Sequence, residues 1–314
     1  MALPAALRGR LRVPLIGAPM LIASDYNLAL AQCKAGVIGT FPALSARPAE
    51  VLDEWLGHLN AELAAHDRAN PSRPSAPYAV NLIVHKTNER LQADLASCVK
   101  HRAPIVITAL GVQKPLIDAV HSYGGLVLHD VTNIVHARKA ASAGVDGLIA
   151  VAAGAGGHGG RLSPFALVQE IREWFDGLLI LSGAIANGRS VLAAQAMGCD
   201  LAYIGSAFIA TKEAGAPLAH KQMVVDSSAS DIVYTDLFSG VNGNYLKPSI
   251  REAGLDPENL PPRGTPYNTG AKKVWRDIWA AGQGVGAVKS IPSVAEFVDR
   301  IDAEYRAAKA ALAA

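Results

Sequence analysis

Eight short apolar segments recur between residues 13 and 205, and a helical pattern follows most of them. The apolar segments are Val13–Ala18, Val37–Phe41, Tyr78–Val84, Pro104–Leu110, Gly125–Val131, Gly147–Ala152, Leu178–Ser182 and Leu201–Gly205. The clearest helical patterns are Pro48–His66, Thr87–His101, Asn133–Ala143, Ser163–Phe175 and Gly188–Met197. Most repeats span about 20–30 residues, the length of one strand–helix unit.

This alternation predicts an α/β fold, namely a closed (β/α)8 TIM barrel. Strands that are apolar along nearly their whole length are typical of parallel sheets covered on both faces. The helix ends support the pattern, because Ser163-Pro164 suits a helix start and Gly144 and Gly198 occupy C-capping positions. An open doubly wound sheet of six or more strands is the alternative, since one sequence does not reveal the pairing order.

The chain changes character after Ala210. A Gly/Asn-rich segment with aromatic residues, Phe238–Pro248, precedes a Pro-rich stretch, and a clear helical pattern returns at Val294–Ala313. We therefore expect a barrel over residues 1–211, a smaller, mostly helical subdomain over 212–293, and a C-terminal helix over 294–314 that packs on the barrel. The segment 238–248 is either a lid over the barrel mouth or a contact surface of a homodimer.

Composition excludes several classes of function. The 314 residues are 50% hydrophobic and carry a net charge of +2 without a dense Lys/Arg run, which disfavours nucleic acid and membrane surfaces as partners. No apolar stretch approaches the ~20 residues of a membrane span, and no secretory signal is visible. The three cysteines are far apart, and no metal-ligand spacing occurs. We expect a cytoplasmic protein with reduced thiols and no metal site.

The glycine loop Gly154–Gly160 is the strongest functional signal. It follows the sixth apolar segment and contains five glycines in seven residues, with His158 among them. Bare backbone lets a flat or charged ligand approach closely, and an imidazole can accept a proton near neutral pH. A loop histidine that only bonds the backbone is the alternative. A dinucleotide-binding Rossmann motif is rejected, because it belongs in the first strand–helix unit.

The ends of the seventh and eighth apolar segments indicate a phosphate site. Ser182-Gly183-Ala184 and Gly205-Ser206 stand where barrel enzymes often bind phosphate with backbone N–H groups. Two ordinary strand–helix turns are the alternative. His129-Asp130 ends the fifth segment, and only one of the two side chains can face the barrel mouth. Since there is no nucleophile elbow or metal cluster, the chemistry is expected to come from a cofactor.

With these residues assembled, the chain resembles the nitronate monooxygenase family, formerly called nitropropane dioxygenases. These are FMN-dependent barrel enzymes related to flavin-type enoyl-thioester reductases and some NADH:quinone reductases. The likeness is carried by Ala18-Pro19-Met20, Asn81, Asp130-Val131-Thr132, Ala155–Gly160, Ser182–Ile185, Ile204–Phe208 and Ala281-Gly282-Gln283-Gly284. Family members often have Gln-Gly-x-Glu-Ala before the Gly-Gly-His element, where this chain has Val151–Ala155.

The resemblance implies roles for individual residues. The backbone of Ala18–Met20 and Asn81 would contact the isoalloxazine, while Gly183, Gly205 and Ser206 would bind the FMN phosphate. His158 would be the catalytic residue that faces the substrate. The full set of expected cofactor contacts is Ala18, Pro19, Met20, Asn81, Asp130, Ala155, Gly156, Ser182, Gly183, Ala184, Gly205, Ser206 and Gln283.

Three functions are compatible with these residues. The resemblance implies oxidation of alkyl nitronates, and of nitroalkanes as a further class, with O2 to carbonyl compounds and nitrite. The alternative on the same flavin site is NAD(P)H-dependent reduction of quinones or enoyl thioesters. A barrel that binds a phosphorylated ligand without turnover belongs to a different class.

Overall fold

Eight parallel strands close into a barrel with helices outside it in this computed structural model, which describes residues 3, 4, 6–270 and 272–313. The strands are β1 (Leu15–Gly17), β2 (Gly39–Pro42), β3 (Tyr78–Ile83), β4 (Ile105–Ala109), β5 (Leu126–Val131), β6 (Gly147–Val151), β7 (Gly157–His158), β8 (Leu178–Ser182), β9 (Leu201–Ile204), β10 (Ile232–Thr235) and β11 (Gly243–Leu246). The helices are α1 (Tyr26–Ala35), α2 (Val51–Ala69), α3 (Leu91–Lys100), α4 (Lys114–His121), α5 (Ile134–Ala143), α6 (Pro164–Arg172), α7 (Gly188–Ala196), α8 (Ser206–Ile209), α9 (Leu218–Asp226), α10 (Lys247–Glu252) and α11 (Val294–Ala313).

The barrel strands follow one another in the order β1-β9-β8-β6-β5-β4-β3-β2, and every pair is parallel. A parallel bridge between Ile16 and Ile38 joins the first and last strands of this series. There the Gly17 N–H donates to the Ile38 carbonyl at 2.8 Å. The predicted (β/α)8 barrel is therefore confirmed, and the open-sheet alternative is wrong.

Buried apolar residues form two layers separated by the barrel wall. Alternate strand positions such as Ile107, Ile149 and Ile180 pack inside the barrel. The residues between them, such as Val106 and Leu148, pack outward against the helices. Because both faces are buried, the strands are almost continuously apolar, which is the pattern in the sequence.

Local signals in the sequence correctly located several helix ends. Gly144 has a φ of 93° directly after α5, and Gly198 has a φ of 105° shortly after α7. Both lie in the left-handed region that favours glycine. Ser163 precedes Pro164 at the start of α6, although the Ser163 side chain makes no capping hydrogen bond.

Helix α11 occupies the place of the eighth barrel helix. The element that directly follows β9 is α8, which has only four residues. Helix α11 instead packs beside α7 and α1. The Tyr305 hydroxyl donates to Gln195 Oε1 at 2.6 Å, and Arg12 Nε donates to Asp302 at 2.7 Å. The C-terminal helix thus completes the outer layer of the barrel.

The chain between α8 and α11 contains α9, α10 and a 3-10 helix, Gln283–Ala287, and also a small sheet that the sequence analysis did not predict. In that sheet β10 pairs with β11, and β11 pairs with β7 of the glycine loop. The sheet fastens the segment to the carboxyl end of the barrel. No helix among the described residues is long and apolar enough to cross a membrane.

We predict that Gly188→Ala destabilises the protein by about 1–3 kcal/mol, because overpacking forces backbone shifts. A Cβ at Gly188 would overlap the backbone of Ile301 and Tyr305 where α7 meets α11. Urea unfolding of the purified variant measures the change. Gly57→Ala is the control, since its Cβ would meet only His101 Cε1 at 3.6 Å. An undiminished stability in Gly188→Ala would contradict the close packing of α11.

Candidate functional site

A cavity of about 1120 Å³ opens at the carboxyl ends of the barrel strands. Its walls include all but one of the site residues predicted from the sequence, namely Ala18, Pro19, Met20, Asn81, Asp130, Ala155, Gly156, His158, Ser182, Gly183, Ala184, Gly205 and Ser206. Gln283 lies behind the wall, where its N–H donates to the Gly154 carbonyl at 2.9 Å. Its neighbours Gly282 and Gly284 line the cavity.

The loops after β8 and β9 lie side by side, because these strands are paired with Ser182 opposite Tyr203. Gly183 has a φ of 144°, and a Cβ there would lie 2.8 Å from the Ala153 carbonyl oxygen. Within the described chain, the N–H groups of Gly183 and Gly205 donate to no protein acceptor. Two neighbouring loops therefore present unpaired N–H groups to one cavity, the arrangement that binds anions.

Ser206 adds a hydroxyl to these loops. Its Oγ accepts a hydrogen bond of 2.8 Å from the Gly282 N–H. Because this contact uses a lone pair, the hydroxyl hydrogen stays available to a ligand. Ser206 thus links the loop after β9 to residues 281–284 while keeping one donor free.

The glycine loop packs against residues 281–284 with backbone touching backbone. A Cβ at Gly156 would lie 2.7 Å from Gly282 N, and a Cβ at Gly282 would lie 2.5 Å from the Gly154 carbonyl oxygen. Only glycine fits at these two positions, because any side chain would push the two segments apart. This approach, between parts of the chain far apart in sequence, shapes one wall of the cavity.

Polar groups without partners form the floor of the cavity. Asp130 Oδ1 and Tyr203 Oη are buried and have no hydrogen-bond partner among the described residues. Burial raises the pKa of Asp130 to about 7 and the pKa of Tyr203 well above its usual value. Asn81 also borders the cavity, and its Nδ2 donates to the Ile107 carbonyl at 3.3 Å. Buried polar groups are nearly always hydrogen-bonded, so this floor fits a polar ligand.

His129 and Asp130 lie on opposite faces of β5. Asp130 follows the interior residue Leu128 at the next inward position. His129 lies on the outward face, and its Nδ1 is 2.7 Å from Thr108 Oγ1. Burial lowers the pKa of His129 to about 4, so its ring is neutral at neutral pH. Both residues border the cavity, and Asp130 is the one on the face of β5 that points into the barrel.

His158 belongs to β7, where it is opposite Gly243 of β11. Its side chain is open to the cavity. Its Nε2 is 2.8 Å from Ser239 Oγ, and its ring meets the Trp275 ring edge to face at 5.3 Å between centroids. Partial withdrawal from water lowers the pKa of His158. The imidazole is therefore neutral at neutral pH and can act as a base.

Two polar residues that bind the glycine loop, Asn244 and Tyr234, were not predicted from the sequence. Asn244 Nδ2 donates to the Ala155 carbonyl at 2.6 Å, and the Tyr234 hydroxyl donates to the Gly159 carbonyl at 2.9 Å. The only signal in the sequence was the Gly/Asn-rich composition of the segment 238–248. Val241 and Asn242 of this segment line the cavity.

A positive edge borders the outer part of the cavity. His136 and Lys139 of α5 line it, together with Arg161, which stands over the Tyr234 ring at 5.7 Å. The side chains of Lys139 and Arg161 make no ion pair within the described chain. This edge can attract an anionic part of a ligand that extends beyond the barrel mouth.

We predict that the Asp130→Asn variant becomes more stable than the native protein as the pH rises, when both are free of ligand. The quantity compared is the free energy of unfolding. The folded pKa of about 7 lies above the usual 3.8, so the unfolded state loses its proton first. The ionisation of Asp130 therefore costs little at pH 4, and this cost grows to at most about 4 kcal/mol by pH 7. Urea unfolding at pH 4 and pH 7.5 measures the difference, with Asp118→Asn, exposed on α4, as the charge control. Equal differences at both pH values would contradict the burial of Asp130.

The sequence of this chain is similar to those of known proteins. A sequence model of the family described as nitronate monooxygenase matches residues 43–304. The nitronate monooxygenase of Paraburkholderia phytofirmans is 26% identical over 93% of this chain and 92% of its own length. The chain spans 65% and 69% of the length of two further curated relatives with 27% and 26% identity.

Solved structures share the fold over the whole chain. A nitroalkane oxidase from Streptomyces ansochromogenes has a TM-score of 0.81 and 24% identity, covering 98% of this chain and 100% of that one. FabK from Thermotoga maritima has a TM-score of 0.80 and 21% identity, covering 99% of both chains. At such identities the likeness concerns the fold alone. The family match covers most of the chain, and the protein therefore belongs to the nitronate monooxygenase family.

Proposed function

We propose that this protein binds FMN and oxidises alkyl nitronates with O2 to carbonyl compounds and nitrite. The observation that carries the proposal is that two neighbouring phosphate-type loops and the His158 imidazole border one cavity. The family match and the named activity of the relative from Paraburkholderia phytofirmans support the same reaction.

The described residues fit FMN. Its phosphate would be held by the backbone N–H groups of Gly183 and Gly205 and by the Ser206 hydroxyl. Backbone N–H groups at helix starts commonly bind anions in this way. The unpaired Asp130 carboxyl and Tyr203 hydroxyl would meet polar atoms of the ring system. The backbone at Ala18–Met20 and the Asn81 side chain border the same space. When bound, FMN would take electrons from the substrate and pass them to O2.

His158 would act on the substrate beside the flavin. With its pKa lowered by withdrawal from water, its neutral ring can take the α-proton of a nitroalkane. That step converts a neutral nitroalkane to the nitronate, whereas a nitronate supplied directly does not need it. Trp275 contacts the His158 ring, and Val241 and Asn242 line the same cavity. These residues would limit the access of water during this step.

A second candidate is NAD(P)H-dependent reduction of a quinone or enoyl thioester on the same flavin. The cavity volume of about 1120 Å³ exceeds the usual range of small-molecule sites, about 300–1,000 Å³. The positive edge at Lys139 and Arg161 suits the phosphates of a nicotinamide cofactor. Nitronate oxidation is preferred because the family model carries that name over residues 43–304.

Anaerobic mixing of the purified yellow protein with each donor tests the proposal. A secondary alkyl nitronate should bleach the flavin absorbance faster than NADH or NADPH at equal concentration, and released cofactor should have the mass of FMN. Faster bleaching by a nicotinamide cofactor would favour the reductase. A colourless protein that takes up no FMN would contradict both.

The variant His158→Asn accompanies this experiment. Because removal of a general base usually costs 10²–10⁴-fold in rate, turnover of a neutral nitroalkane should fall by at least about 100-fold. FMN content, read from the visible spectrum, should stay at the native level, since His158 is not among the phosphate or floor residues. Unchanged kinetics would remove His158 from the mechanism.

A further inference from the structure

The two nitrogens of His158 have different surroundings. Nε2 is 2.8 Å from Ser239 Oγ. Nδ1 has no hydrogen-bond partner among the described residues. Because the side chain lines the cavity, the nitrogen without a partner is the one available to a substrate.

Ser239 has three polar neighbours, and they determine where its hydrogen goes. Besides His158 Nε2, its Oγ lies 3.0 Å from the Val241 carbonyl oxygen and 3.2 Å from the Tyr245 hydroxyl. A carbonyl oxygen only accepts, so the serine hydroxyl donates its one hydrogen to Val241. Ser239 Oγ then accepts from both His158 Nε2 and Tyr245 Oη, which uses all its hydrogen-bonding capacity.

This arrangement fixes the tautomer of the imidazole. A neutral histidine carries one ring proton, and the nitrogen without the proton is the base. With the proton on Nε2, where it is donated to Ser239, the lone pair is on Nδ1. The neighbouring strands hold this geometry, since β11 places Gly243 opposite His158 and begins two residues after Val241.

We propose that Ser239 is a positioning residue that keeps the His158 proton on Nε2 and so leaves Nδ1 to accept the α-proton of a neutral nitroalkane. In that step the substrate C–H bond breaks and an Nδ1–H bond forms. The electron pair of the C–H bond stays on the substrate, which becomes the nitronate, and the ring becomes an imidazolium. The proposal rests on the proposed function and adds the residue and the atom that prepare the base.

The matching nitronate is an internal control, because it lacks the α-proton. A group that only maintains the fold of the segment 238–248 would change kcat/KM for the nitroalkane and for the nitronate alike. A group that orients the base affects only the nitroalkane. The ratio of kcat/KM for the two substrates therefore separates positioning from general support of the structure.

The kinetic experiment compares Ser239→Ala with Ser239→Thr, which keeps a hydroxyl, and with Ser72→Ala, an exposed control after α2. In Ser239→Ala, kcat/KM for a secondary nitroalkane should fall about 10-fold or more, while kcat/KM for its nitronate stays within about twofold. Ser239→Thr should recover most of the loss, and Ser72→Ala should match the native enzyme. Equal losses on both substrates, or no loss on either, would overturn the proposal.

A spectroscopic experiment tests the tautomer independently of turnover. In holoenzyme labelled with ¹⁵N-histidine, the signals of His158 are identified by their absence in His158→Asn. The native ring should be protonated at Nε2, and Ser239→Ala should show a mixture of tautomers. A native ring protonated at Nδ1 would overturn the proposal. Native enzyme that oxidises nitronates but no nitroalkane would also overturn it, and would leave the proposed function intact.

Discussion

The close approach of bare backbone at the carboxyl end of the barrel is the constraint on which the site depends. Gly156 and Gly282 leave no space for a Cβ where the glycine loop meets residues 281–284. The same segment reaches the loop after β9 through the Gly282 N–H and Ser206 Oγ. One junction therefore joins the loop that carries His158, the loops after β8 and β9, and residues 281–284, and all of them border the cavity.

The cavity has two polar regions with separate tasks. Its floor holds Asp130 and Tyr203, whose burial without partners is costly until a ligand supplies hydrogen bonds. Its outer part holds His158, whose ring contacts Ser239 and Trp275. The unpartnered floor residues thus lower the stability of the ligand-free protein, while the contacts of His158 fix the position of its ring. Both features are common at binding sites in enzymes.

The barrel could be predicted from the sequence because each strand–helix unit repeats the same apolar period, and the strand ends then indicated the loops and the histidine that border the cavity. Three features of the structure could not be predicted from the sequence. Strand β7 has two residues, too few for any periodic signal. Ser239 and Asn244 reach the glycine loop across 81 and 89 residues. Helix α11 takes the eighth helical place only because α8 ends after one turn. Each depends on packing between distant segments.

We propose above that the paired loops after β8 and β9 hold a flavin phosphate and thereby place the ring system next to His158. A crystal structure of the protein purified with its chromophore would show where the phosphate binds. We expect the phosphate within hydrogen-bond distance of the Gly183 and Gly205 N–H groups, with the ring system between Asp130 and His158. A phosphate bound elsewhere, or a ring system that His158 does not face, would contradict it.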